Sequence, residues 1–129
     1  MTGGAETLAP LFPTSGPRVR LELGEGASGR LVRVSDGTAC GTFTLESTAS
    51  TLAVQSLCVD ESLRGYGLGS EAGGLLRGIA ELGPWQLLRA WAPPDRGLAV
   101  YFWIRMGLHP LAGEGPNGGL WFEREVGQP

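Results

Sequence analysis

Alternating apolar and polar residues in the first half of the chain predict β-strands. Apolar and polar side chains alternate between residues 18 and 46, with interruptions at Gly24 to Gly29 and at Asp36-Gly37. This pattern is typical of an antiparallel meander with short turns. Residues 52–59 (LAVQSLCV) are more continuously apolar, which predicts a mostly buried strand.

The pattern changes to a helical period after that strand. Apolar residues recur three or four positions apart from Ser70 to Leu82, and Gly83-Pro84 is a stop signal. The interior glycines of this segment lower its helix propensity, so we expect the helix to depend on tertiary packing or on close backbone contact.

The remaining elements alternate between strand and helix. Residues 85–92 (WQLLRAWA) predict a strand, and Asp95 is a candidate N-cap of a second helix that Gly107 ends. The segments LHPLA and GLWFERE then predict a final hairpin.

This order of elements predicts an α+β fold. We expect one mixed, mostly antiparallel sheet with two main helices. Residues 1–17 lack a period and contain three prolines, which predicts a loose N-terminal arm, and residues 18–129 are predicted to form a single domain.

Composition removes several classes of function. All ten basic residues are arginine, and the lysine that a Walker phosphate loop or a pyridoxal enzyme requires is absent from the sequence. The net charge is −3 and the arginines are dispersed, so we expect no nucleic-acid partner.

Cysteine usage and hydropathy favour a soluble protein without metal. Cys40 and Cys58 lie far apart in strand-like segments, which predicts buried free thiols and offers no zinc-ligand spacing. The apolar stretches are shorter than the roughly 20 residues that span a bilayer. We therefore expect a cytoplasmic protein with no membrane partner.

The glycine-rich string RGYGLGS at residues 64–70 is the strongest chemical signal. It follows the buried strand and opens into the helix, so its amide groups and the helix N-terminus can hold a pyrophosphate. A purely structural turn is one alternative. A dinucleotide fingerprint is another, since Gly67, Gly69 and Ala72 match GxGxxA, but the strand at 85–92 ends in Ala-Trp-Ala rather than in the required acidic residue.

Two segments of the chain resemble the GNAT superfamily of N-acetyltransferases. Leu57-Cys58-Val59 followed by Arg64, Gly67 and Gly69 is similar to the LxV strand and RxxGxG loop of that family. Residues 99–108 (AVYFWIRMGL) resemble its late helix. The resemblance covers about residues 52–108.

That resemblance implies a GNAT-like fold and transfer of an acetyl group from acetyl-CoA to an amine of a small molecule or protein. The strands at 52–59 and 85–92 are then expected to splay apart around the thioester. The main chain of the first strand pairs with pantetheine, and the loop holds the pyrophosphate. The implied cofactor-binding residues are Leu57, Cys58, Val59, Arg64, Gly65, Tyr66, Gly67, Leu68, Gly69 and Ser70.

The chain departs from the family pattern at both expected catalytic positions. Gln55 stands where the family often has a glutamate base, and Trp103 stands where it usually has a tyrosine acid. Trp103 is a candidate for lining the acyl pocket instead. Other candidates for catalysis are Glu46, Asp60, Glu61, Tyr101 and His109.

These substitutions leave two interpretations besides a slower enzyme: a non-catalytic acyl-CoA-binding module, and a purely structural domain. The acceptor side also differs, because the two helices that the family usually inserts after its first strand have no room between Arg18 and Arg30. The resemblance therefore implies an open acceptor side, and we expect a homodimer.

Overall fold

A single sheet organises the computed structural model, which describes residues 8–63, 67–92, 102–111 and 119–126. The strands are β1 Thr14–Ser15, β2 Val19–Leu23, β3 Ser28–Arg33, β4 Ala39–Ser47, β5 Thr51–Val59, β6 Leu87–Ala92, β7 His109–Pro110 and β8 Leu120–Glu125. Their order in the sheet is β1-β2-β3-β4-β5-β6-β8-β7. Among these described strands, only β5 and β6 pair in parallel. The predicted α+β class with a mixed, mostly antiparallel sheet is confirmed.

Helix α1, Leu68–Leu82, connects β5 to β6 and packs on one face of the sheet. Its buried side includes Ala72, Leu76 and Ile79, as the apolar spacing predicts. The helix begins before the predicted Ser70 because Gly67, with φ of 80°, takes the N-cap position. It ends as expected at Gly83-Pro84.

A second helix, α2, packs beside α1. Residues 102–105 are helical, and Gly107 has φ of 91°, the left-handed terminus that the sequence predicts. The start of this helix and the candidate cap Asp95 lie outside the described residues. A Cβ added to Gly73 of α1 would collide with the ring of Phe102, so this interior glycine allows the two helices to approach closely.

The described residues of the predicted N-terminal arm pack on the domain. Leu8 is fully buried, and β1 pairs with β2 at Thr14↔Leu21. The ring of Phe12 stacks on Phe43 of β4 with centroids 5.7 Å apart. Regular structure therefore begins before Arg18, because apolar side chains among the prolines contribute to the core.

The tryptophans on and next to the strands differ in burial. Trp85 is 1% exposed and donates a hydrogen bond from Nε1 to the hydroxyl of Ser47 at 2.9 Å, although it lies before β6 rather than inside it. Trp91 and Trp121 are half-buried register partners on β6 and β8.

The two cysteines are free, and the prediction that both are buried is wrong for Cys58. Cys40 is buried, whereas Cys58 is exposed. Burial and the nearby Asp60 raise the pKa of the Cys40 thiol. Cys58 is exposed because the end of β5 alternates, with Leu57 packed against the core and Cys58 on the opposite face. Neither α1 nor the described part of α2 is long and apolar enough to cross a membrane.

Candidate functional site

The two central strands, β5 and β6, stop pairing partway along β5, and we call the gap between them the cleft. Their parallel register runs from Thr51↔Leu87 to Val54↔Ala90. Beyond that pair, the register partners of β5 in the described chain all belong to β4, while β6 continues alongside β8 to Ala92. The two central strands therefore diverge, and the predicted splay is confirmed.

A β-bulge at Gln55 marks the start of this cleft. In the pairing with β4, Ser56 lies opposite Thr44, but Val54 lies opposite Leu45, so Gln55 is the extra residue. Bulges bend a strand and increase its twist. Because this bulge comes directly after the last β5–β6 pair, it accounts for the divergence of the strands.

The predicted pantetheine strand contributes its main chain to the cleft. The side chains of Leu57 and Val59 pack against the core, and Cys58 points to the opposite face. Both side chains are partly buried, so backbone groups are the main contacts that Leu57 and Val59 would offer a ligand in the cleft. Their assignment to pantetheine stays a prediction.

The described part of the glycine-rich loop lies at the end of β5. Gly67 caps α1, Leu68 is buried, and Ser70 is exposed. A Cβ added to Gly69 would touch Cγ2 of Val59 at 3.5 Å, so the first turn of the helix adjoins the last residue of β5. Arg64, Gly65 and Tyr66 lie outside the described residues.

Arg18 and Glu71 join this loop although the sequence analysis assigned neither a role. A Cβ added to Gly67 would collide with Nη1 of Arg18, so the guanidinium lies directly beside the helix N-terminus. Oε2 of Glu71 accepts hydrogen bonds from the backbone N–H groups of Arg18 and Val19, both at 2.7 Å. The carboxylate in the first turn of α1 thereby fixes the start of β2, and with it Arg18.

A cavity of about 490 Å³ adjoins the same helix end. Its lining includes Leu68 of α1, Arg18 and Arg33. Arg33 donates to Asp36 at 2.6 Å, which lowers the pKa of that carboxyl well below its usual range. The volume lies within the range of small-molecule sites.

We call the sheet face opposite α1 the open face. Four ionisable side chains and Ala53 form a row across it. Cross-strand register aligns Glu46 of β4, Ala53 of β5, Arg89 of β6, Glu123 of β8 and His109 of β7. Arg89 donates from Nε to Oε1 of Glu123 at 2.8 Å. Next to this row, Nε2 of Gln55 lies 3.4 Å from Oε1 of Glu46.

The other candidates for catalysis lie away from the start of the cleft. Asp60 follows β5, and its backbone N–H donates to the carbonyl of Cys40 at 2.9 Å. His109 is exposed on the edge strand β7. Glu61 belongs to a 3₁₀ turn, and neither its side chain nor Tyr101 is among the described parts of the structure.

Trp103, at the position of the family's usual acid, belongs to the core. It is 4% exposed and contacts the ring of Phe102 edge-on, with centroids 4.7 Å apart. The indole carries an N–H donor that does not ionise in the physiological range, so it is a poor proton source for a thiolate.

The fold is similar to that of solved N-acetyltransferases. It matches the ribosomal-protein-S18-alanine N-acetyltransferase from Escherichia coli with a TM-score of 0.67 and 12% sequence identity, over 100% of this chain and 81% of that chain. For Ard1 from Thermoplasma volcanium the TM-score is 0.65 at 16% identity, over 78% of this chain and 71% of that one. A GNAT family acetyltransferase from Elizabethkingia anophelis with acetyl-CoA bound gives a TM-score of 0.63 at 11% identity, over 78% and 77% of the respective chains.

These similarities show that the chain has the GNAT acyltransferase fold. No protein-family model matches the sequence, and no curated protein matches it significantly.

Proposed function

We propose that this chain is an N-acetyltransferase that moves an acetyl group from acetyl-CoA to a primary amine of a small molecule or protein. The divergence of β5 and β6 at the Gln55 bulge carries this proposal, because it opens a strand edge beside a helix N-terminus. A CoA thioester needs both features: backbone groups that pair with its amide-bearing pantetheine arm, and a positively charged site that binds its phosphates.

The pyrophosphate is assigned to the loop from Gly65 to Ser70. Because Gly67 has no Cβ, the guanidinium of Arg18 can lie against the helix N-terminus and add a positive charge there. In a chain without lysine, arginine is the residue available for this role. The pantetheine arm is assigned to the main chain of Leu57 to Val59.

Orientation of the two reactants supplies much of the rate in this proposal. Holding an amine against a thioester in the cleft can contribute several kcal/mol to lowering the barrier. Gln55 cannot accept a proton in the way a glutamate does, and Trp103 lies in the core. These two residues favour the second candidate function, an acyl-CoA-binding module without turnover.

The acceptor is assigned to the open face. Within the described ranges, the chain passes from β2 to β3 through a short turn with no helix inserted between them. A second copy of the chain would complete the acceptor side, so a homodimer is expected. Light scattering at micromolar protein measures this directly, and a monomeric mass would contradict it.

Calorimetric titration of acetyl-CoA, followed by mass spectrometry of acceptor amines, tests the function. The panel is spermidine, lysine amide, an alanine-initiated peptide, benzylamine and 4-methoxyaniline; the peptide is included because one similar structure is an alanine N-acetyltransferase. Released CoA is quantified by chromatography, since the exposed thiol of Cys58 would react with a thiol-specific dye.

The expected result is micromolar binding of acetyl-CoA with stoichiometric formation of an acetylated amine and free CoA. Binding without turnover across the panel would favour the non-catalytic module. Absence of binding would overturn both candidate functions and leave the loop as a structural turn.

A further inference from the structure

We propose that Glu46 is the general base for the acceptor amine, and that Gln55 positions its carboxylate at the start of the cleft. The inference rests on the acetyltransferase function proposed above. It answers the chemical question that Gln55 raises, because an amide at this position leaves the reaction without a base of its own.

The geometry brings the Glu46 carboxylate to the reacting end of the cleft. Gln55 is the bulge residue, directly beyond the last β5–β6 register pair, and its side chain is exposed on the open face. Its Nε2 lies 3.4 Å from Oε1 of Glu46 on the adjacent strand. The amide therefore occupies the cleft start and holds the carboxylate beside it.

Strand register explains this contact. Leu45 and Val54 are buried register partners. Glu46 follows Leu45 and Gln55 follows Val54, so alternation puts both side chains on the open face, diagonally across the two strands. Gln55 is also the bulge residue, which has no register partner on β4.

Strand spacing separates the other candidates from this point. His109 lies on β7, three strands from β5, which amounts to about 14 Å at the usual interstrand distance. Asp60 follows the end of β5, about 16 Å along the strand from Gln55. Arg89, the nearest ionisable neighbour in the row, is a cation and is held by Glu123. Among the described candidates, Glu46 alone contacts the residue at the cleft start.

The proton and electron balance is complete with this assignment. The Glu46 carboxylate takes one proton from the bound ammonium, directly or through a water molecule, and later releases it to solvent. The neutral amine attacks the thioester carbonyl carbon; the C–N bond forms and the C–S bond breaks. The second proton on nitrogen passes to the departing thiolate, which gives the amide and free CoA thiol.

The test compares Glu46→Gln with wild type on two kinds of amine. The introduced amide keeps a polar partner for Gln55, so the fold and acetyl-CoA affinity should be retained. With the best alkylamine of the panel, which is protonated at neutral pH, kcat should fall about 100-fold, as expected for loss of a general base. With 4-methoxyaniline, which is neutral at that pH, kcat should fall less than about threefold.

A swap variant and a matched control sharpen the result. Glu46→Gln combined with Gln55→Glu exchanges the carboxylate and the amide across the same contact, and should recover at least about tenfold of the lost kcat. The matched control is Glu81→Gln. Glu81 is exposed on α1, on the side of the sheet opposite the open face, where it pairs with Arg77 at 3.3 Å, so its loss should leave kcat unchanged.

The outcomes separate this inference from the function on which it rests. If wild type acetylates no amine, the proposed function fails, and the role of Glu46 fails with it. If wild type is active and Glu46→Gln retains its kcat with the alkylamine, only the role of Glu46 is overturned. Equal losses with both amines would also overturn it, because they would indicate a structural effect rather than proton removal.

Discussion

Replacing Gly67 by glutamate puts a carboxylate at the N-terminus of α1, where we propose that the pyrophosphate binds. Gly67 has φ of 80°, so a side chain costs roughly 1–2 kcal/mol in backbone strain. The added atoms also meet the Arg18 guanidinium, which can move because it ends a flexible side chain. We expect a folded protein whose melting temperature is lower by a few degrees.

The effect on binding is separate from this strain and is electrostatic. A carboxylate about 4 Å from one phosphate charge costs about 1 kcal/mol at the dielectric constant of water and about 4 kcal/mol at that of a protein surface. Affinity for acetyl-CoA should therefore fall between about fivefold and nearly a thousandfold. Isothermal titration calorimetry measures the change, and circular dichroism confirms that the variant is folded.

Gly26→Glu is the matched control for backbone strain. Gly26 has φ of 62°, lies in the β2–β3 turn, and has nothing within 4 Å of an added Cβ. It should lose similar stability while keeping wild-type affinity. A folded Gly67→Glu variant that binds as well as wild type, or an equal loss of affinity in Gly26→Glu, would refute the assignment of the pyrophosphate to this loop.

Three further predictions concern Arg18, the exposed thiol of Cys58 and the buried side of α1. Arg18→Ala should weaken acetyl-CoA binding at least about fivefold and flatten its salt dependence; unchanged calorimetric affinity would contradict the cationic role. Acetyl-CoA should slow iodoacetamide labelling of the exposed Cys58, while the buried Cys40 stays unlabelled in the folded protein by mass spectrometry; unprotected Cys58 would count against the pantetheine strand. Leu76→Ala should cost about 2–5 kcal/mol in urea unfolding, against less than about 0.5 kcal/mol for Leu82→Ala, because Leu76 is fully buried and Leu82 is 79% exposed; equal losses would contradict the packing of α1.

Local periodicity made the main elements predictable. The three- and four-residue spacing of Ala72, Leu76 and Ile79 defines the buried side of α1, and the structure differs only in where the helix begins. The alternation in β2 to β4 likewise predicted the meander. These patterns depend on neighbours in sequence, so they can be interpreted without knowledge of the sheet.

The burial of Cys58 was mispredicted because a short apolar run does not reveal how many faces of a strand are covered. In the described structure the helices pack on the face that Leu57 shares, and Cys58 lies on the other. The packing of helices on one face of the sheet, rather than the apolar run in the sequence, decides which of two adjacent residues is exposed.

Short-range spacing and the backbone freedom of glycine were sufficient to predict the α+β order, the helix after β5 and the glycine-rich loop that opens it. Tertiary packing and strand pairing, in contrast, brought Arg18 beside Gly67, and Glu46 beside Gln55. The first pair is joined by the packing of β2 on α1, and the second by the register of β5 against β4. Each contact joins segments whose local sequence patterns are independent of each other. Their alignment therefore depends on strand register and on how α1 packs against the sheet.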